Sequence, residues 1–136
     1  MAYRDSTSGN SGGQYRSTDV DIEATTDAGG GYNVGWIAAG EWLVYTVNVA
    51  AARTYTVEAR VASQGAGGTF HVEVGGVDVT GPMTIPNTGG WQNWTSLSKL
   101  GIPLGAGRHT IRIVFDTNGP GGVFGNVNYL RVTAAL

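Results

Sequence analysis

Residues 53–62 read RTYTVEARVA. Tyr55, Val57, Ala59 and Val61 fall on one side of an alternating pattern, and Thr56, Glu58 and Arg60 fall on the other. A period of two is the mark of a strand with one face buried and one face wet; a helix would place its apolar residues three and four apart. The same period recurs outward from this stretch. In EWLVYTVNV (41–49) Leu43, Tyr45, Val47 and Val49 share a face, in TFHVEV (69–74) Phe70, Val72 and Val74 do, and in HTIRIVF (109–115) Ile111, Ile113 and Phe115 do. NVNYLRV (126–132) closes the chain in the same way. These runs recur about every 12–20 residues with glycine turns between them, and no stretch keeps a helical period over three turns. The predicted fold is all-β: a β-sandwich, or jelly roll, of two antiparallel sheets packed face to face. It forms one domain over residues 1–136, with 1–19 as a polar, glycine-rich arm or edge segment.

Composition narrows the function. The 136 residues suffice for one core, and 23 glycines with only 13% charged residues fit short strands joined by many turns. A net charge of −2 without a basic stripe argues against nucleic acid. No apolar run is long enough for a membrane-spanning helix. The absence of cysteine removes disulfides, thiolate catalysis and cysteine-ligated zinc. The Met1–Arg4 start has no apolar segment of the kind a signal peptide carries and reads as an expression start on an excised piece. The neutral Thr/Asn/Gly-rich surface fits bacterial secretion somewhat better than the cytosol.

Catalytic readings find little support. His71 and His109 sit on the polar side of predicted strands, away from any partner serine, and read as solvated strand histidines. In TDVDIE, Asp19, Asp21 and Glu23 alternate and can share a strand face. That pattern suits an acid pair of a small glycoside hydrolase, a metal site, a contact to sugar hydroxyls, or simply a charged outer face. No second carboxylate cluster stands opposite. GAGG and GPGG lack the Lys-Ser/Thr and the helix that a phosphate loop needs.

The aromatic residues are more informative. Trp42 lies inside an alternating strand and Trp94 at the start of a strand-like run; both are expected to be structural, Trp42 in the core. Tyr32 and Trp91 each follow a glycine-rich turn directly, in DAGGGYNVGW (27–36) and NTGGWQNW (87–94). Two large rings on open turns are either lids over one end of the sandwich or platforms for a flat apolar ligand. The C–H face of a pyranose stacks on such rings, each contact adding about 0.5–1.5 kcal/mol beyond area burial. Two rings with several hydrogen bonds give affinities of roughly micromolar to millimolar.

GGGYNVGWIAAGEWLVYTVNV, RTYTVEARVAS, PNTGGWQNW and GAGRHTIRIVF, in that order, resemble carbohydrate-binding module family 6, from Tyr15 almost to the chain end. The resemblance implies a non-catalytic module of a secreted polysaccharide hydrolase, directing the appended enzyme to its substrate. It implies a sugar held between Tyr32 and Trp91. Asn126 hydrogen-bonds the sugar, with Asn118 a rival for that place, and Glu23 is the acidic contact, with Asp21 and Asn33 as further candidates. The family's second cleft, on a sheet face, needs aromatics on that face, and the sequence identifies none. Members usually begin with an acidic strand of the form IEAE, which is missing here. Its acids help hold a structural calcium (Ca2+) with a residue of the last strand, here Asn128, so a retained calcium is not expected. Loss of that strand implies lower stability and a tendency to dimerise through an unpaired sheet edge. The YRSTDVDIE type of segment favours β-1,3-glucan (laminarin-like) or agarose as ligand, with xylan next.

Overall fold

The computed structural model describes residues 22–135 and, for its backbone, Tyr3–Arg4. Asp19, Asp21 and the rest of the N-terminal arm lie outside the described residues. Every regular element among the described residues is a strand. A first sheet has the order β1 (Tyr3–Arg4), β4 (Trp42–Val49), β10 (Gly107–Thr117), β6 (Thr69–Val74) and β7 (Val77–Asp78), and β8 (Met83–Thr84) also pairs with β6. The second has the order β2 (Ile22–Ala24), β3 (Tyr32–Val34), β11 (Asn126–Ala134), β5 (Arg53–Ser63) and β9 (Gly90–Leu104). All pairings are antiparallel.

The period-two faces become the core. Val57, Ala59 and Val61 of β5 meet Ile111, Ile113 and Phe115 of β10 and Phe70 and Val72 of β6 in one buried cluster between the sheets. Phe124, from the loop before β11, closes one end, its ring edge-on to Phe115 with centroids 5.0 Å apart. β1 covers the outer edge of β4 over two rungs, Tyr3 opposite Leu43 and Arg4 opposite Trp42.

The outer face of the first sheet departs from expectation in two places. Trp42 is not in the core. Leu43 takes the inward position, so its neighbour must point outward, where Trp42 is half-buried beneath the Arg112 guanidinium at 5.4 Å from the ring centroid. His71 is not a solvated histidine either. Its Nδ1 lies 2.7 Å from Asp116 and its Nε2 2.7 Å from Glu73, whose other oxygen accepts from Arg112 Nη2 at 2.6 Å. The registers Arg112↔Glu73, Val114↔His71 and Val114↔Trp42 put these groups on two neighbouring rungs of one face across three strands. His109 caps its own turn, with Nε2 2.6 Å from the Gly105 carbonyl.

Burial pulls the His71 pKa down, but the bonds to Asp116 and Glu73 outweigh it, helped by the charges of Asp116 and Asp78, and the net shift is upward. Glu73 is held below its ordinary value by its bond to His71 against the effect of burial, with Arg112 adding to the depression. A raised histidine contributes stability that is fully present below its unfolded value of 6.5 and is lost as pH rises through the folded value. A depressed glutamate contributes above 4.5 and is lost as pH falls through its folded value. Thermal unfolding across pH is therefore expected to peak between these limits. His71→Gln should flatten the alkaline descent and also shrink the acid limb, since Glu73 then keeps only Arg112 to hold its value down.

Candidate functional site

Glu23 stands at the centre of β2, opposite Asn33 of β3, on the face away from Ile22 and the core. Its Oε1 accepts three side-chain amides: Asn33 at 3.1 Å, Gln92 at 3.0 Å and Asn126 at 3.2 Å. One oxygen thus ties the starts of β9 and β11 to the β2–β3 hairpin. Oε2 makes no hydrogen bond among the described residues. Asn33 and Asn126 are buried, at 2% and 5% exposure, so their amides need these partners. Asn126 donates its second hydrogen to the Trp91 carbonyl at 2.8 Å, which leaves Oδ1 as its spare acceptor.

Gln92 is a hub that the sequence did not reveal. Its Nε2 donates to Glu23 and, at 3.1 Å, to Asn33 Oδ1. Its Oε1 accepts from the Thr26 backbone at 2.8 Å and from Trp94 Nε1 at 3.3 Å. Nothing in NTGGWQNW distinguishes such a glutamine from a solvated one; apart from Trp94 its partners come from β2, the β2–β3 loop and β3. Trp94 is half-buried and structural, as expected.

The antiparallel register sorts the aromatic rings. Val34 pairs with Val127, so Gly35 lies level with Asn126, and a Cβ on Gly35 would stand 3.2 Å from Asn126 Oδ1 and 3.7 Å from Glu23 Oε1. Glycine keeps that space open. The next residue, Trp36, is 54% exposed and holds φ at 50°, the left-handed region that a large side chain rarely occupies. Asn126 thus bonds the backbone of Trp91, itself 39% exposed, and its Oδ1 lies beside Gly35, where a Cβ would meet it. Tyr32 is exposed at 44% but sits three residues before Gly35, about 10 Å along an extended chain. Alternation puts it on the side of Val34 rather than of Asn33. Asn118 Oδ1 accepts from the Ala39 backbone at 3.2 Å. Asp21 is outside the described residues.

The loop between β2 and β3 folds back over the outer face of the second sheet. Gly29, Gly30 and Gly31 all have positive φ, which lets the chain turn tightly enough to do so. Asp27 anchors it: Arg60 grips the carboxylate with Nε and Nη2, both at 2.9 Å, and Asn128 Nδ2 donates at 2.9 Å. The Arg60 bonds are the largest cause of a carboxyl pKa lowered to about 2, against the effect of burial and with help from Asn128 and the Ala28 backbone.

Asn128, the expected calcium ligand, spends its amide on Asp27, and Asp27 is neutralised by Arg60. No three His, Cys, Asp or Glu side chains group together among the described residues.

A two-sheet sandwich that exposes tryptophans beside spare carboxylate and amide acceptors defines a non-catalytic sugar-binding module. The profile of the family described as carbohydrate binding module (family 6) matches residues 13–134, and the chain belongs to that family. The family 6 module of Cellvibrio mixtus lichenase 5A, solved in complex with cellotriose, is 40% identical and superposes with a TM-score of 0.72, covering 86% of this chain and 88% of that one. A β-1,3-glucan-binding family 6 module from Bacillus halodurans is 34% identical with a TM-score of 0.72, covering 85% and 86%. The clotting factor G alpha subunit of Tachypleus tridentatus is 33% identical over 121 residues, which are 88% of this chain but 17% of that protein. The chain thus spans a small fraction of the length of that relative.

Gln92→Ala leaves the Glu23 carboxylate, the Asn33 carbonyl and the Thr26 N–H each short of a partner. It is expected to cost about 1–3 kcal/mol in urea unfolding with the m-value unchanged.

Proposed function

We propose that the module holds one pyranose ring of a β-glucan between Trp91 and Trp36. Glu23 Oε2 and Asn126 Oδ1 accept its hydroxyl hydrogens, and Tyr32 lies at the margin. The observation that carries this reading is the position of Asn126, which donates to the Trp91 carbonyl while its Oδ1 faces the space that a Cβ on Gly35, the residue before Trp36, would fill. The strained backbone of Trp36 supports it further, since a left-handed tryptophan with an exposed ring forgoes both conformational ease and burial. This reading takes Trp36 as the first platform where the sequence pointed to Tyr32, four residues earlier; both rings are exposed.

β-1,3-Glucan is the favoured ligand, ahead of agarose and then xylan. The segment preceding Glu23 pointed that way, and the Bacillus halodurans relative is a β-1,3-glucan binder. The module's role in its parent protein is to keep an appended, secreted glycoside hydrolase on its polysaccharide.

A second sugar contact on the outer face of the first sheet has a specific observation in its favour. Trp42 points outward there beside Glu73 and Arg112, the aromatic on a sheet face that the family's second cleft needs.

Affinity electrophoresis on laminarin, agarose and xylan tests these readings together. Wild type should be retarded most by laminarin. Trp91→Ala and Trp36→Ala should each weaken retardation at least about tenfold, the worth of one stacked ring, without changing the fold by circular dichroism. Gly35→Val, which fills the space before Asn126, should do the same. Tyr32→Ala should have a small effect. Retardation lost in Tyr32→Ala but kept in Trp36→Ala would return the platform to Tyr32, and normal retardation of Trp91→Ala would refute the site. Residual binding in Trp91→Ala that disappears with Trp42→Ala would establish the second face.

A further inference from the structure

We infer that Asp27 and Arg60 are positioning residues of the glycan site, locking the β2–β3 loop so that Gln92 and Glu23 are set before any sugar arrives. This rests on the proposed site, because neither residue touches the place where a sugar would sit. The connection runs through named bonds. Arg60 projects from the outward face of β5, between the inward Ala59 and Val61, and its fork meets the Asp27 carboxylate at 2.9 Å through both Nε and Nη2. Arg60 Nη1 is itself braced by Ser96 Oγ of β9 at 3.3 Å. Asn128 of β11 adds a third donor to Asp27, and the Ala28 N–H a fourth. The carboxylate is nearly enclosed, at 5% side-chain exposure, so the pair is dry and bidentate, the geometry in which Arg–carboxylate contacts are strong and directional.

What Asp27 holds is the loop it belongs to. The loop closes on itself through Gly30 N–H to the Asp27 carbonyl and Thr25 N–H to the Gly31 carbonyl, both at 3.1 Å. Just ahead of Asp27, Thr26 N–H donates to Gln92 Oε1 at 2.8 Å, with the Thr25 and Thr26 hydroxyls each at 3.3 Å from the same oxygen. These donors settle which way the Gln92 amide faces. With Oε1 turned to the loop, Nε2 must face Glu23 and Asn33. Release of Asp27 frees the loop, and Gln92 Oε1 then keeps only the long Trp94 Nε1 donor at 3.3 Å in place of the Thr25 and Thr26 donors. Glu23 Oε1 in turn loses one of its three amides. The sugar would then have to order the loop as it binds, and the apparent Kd rises by the reciprocal of the fraction of molecules in the docked state.

That relation supplies a test that a merely structural role would not satisfy. Laminaritriose binding by calorimetry and amide hydrogen exchange by NMR are measured on the whole chain for wild type, Asp27→Asn and Arg60→Lys. Asp27→Asn keeps the size of the side chain and removes its charge; Arg60→Lys keeps the charge and removes the fork. The expected result is a Kd raised about tenfold in Asp27→Asn and less in Arg60→Lys. Protection of the Thr26 amide should fall by a matching factor, while protection at Val61 and Ile113 in the core is unchanged. Loss of Thr26 protection with a Kd within twofold of wild type would overturn the inference, as would a Kd change without loss of Thr26 protection. If Asp27→Asn does not fold, Asn128→Ala removes a single donor and is read in the same way. If the wild type binds neither laminaritriose nor cellotriose, the functional reading fails on its own. The lock is then judged by the Gln92 and Asn126 side-chain amide signals, which must broaden in Asp27→Asn and which overturn it if they stay sharp.

Discussion

One carboxylate oxygen organises the business end of this sandwich. Glu23 Oε1 accepts amides from Asn33, Gln92 and Asn126, which belong to three different strands. Burying an acidic group is costly unless donors surround it, and burying three amides is costly unless acceptors do. Each need meets the other here. The result is a small polar cluster with little freedom, which holds the Trp91 carbonyl through Asn126 and packs against Gly35, where glycine leaves room for it.

The two outer faces of the sandwich carry different polar chemistry. On the second sheet the Asp27–Arg60 pair fastens a mobile kind of sequence, three successive glycines, onto a rigid surface. Glycine allows the loop to turn but contributes no contact of its own, so order has to be imported from a strong pair at its base. On the first sheet the group of Asp116, His71, Glu73 and Arg112 joins β10 and β6 by charge-assisted bonds beside Trp42. Both arrangements grow from the outward positions of strands whose inward positions build the core.

Much of the architecture could be read in advance because strand alternation is a local property. The five period-two runs around Leu43, Val57, Phe70, Ile113 and the chain end each form strands, and their apolar faces meet as expected. What escaped were elements without that period. β2 and β3 have three residues each, too few to show a pattern, and β9 runs through Lys99–Gly101, where a register shift breaks its alternation. Trp42 was misplaced because a large ring suggests a core even where Leu43 already fills the inward position. The site was legible in its chemistry more than in its geometry: Glu23, Asn33, Asn126 and the Trp91 carbonyl are joined by hydrogen bonds, but Gln92, the hub between them, went unnoticed.

By itself the sequence determined that this protein is an all-β sandwich of carbohydrate-binding module family 6, since period-two hydrophobicity and ordered local motifs are properties of neighbours along the chain. Which segments meet at Glu23 was decided only by the tertiary structure. That meeting depends in part on the antiparallel register Val34↔Val127, which sets Gly35 level with Asn126. The bonds that carry Arg60 to Asp27 and Gln92 to Glu23 join residues 33 and 69 positions apart. No spacing rule reaches that far, because such contacts exist only once the sheets have closed.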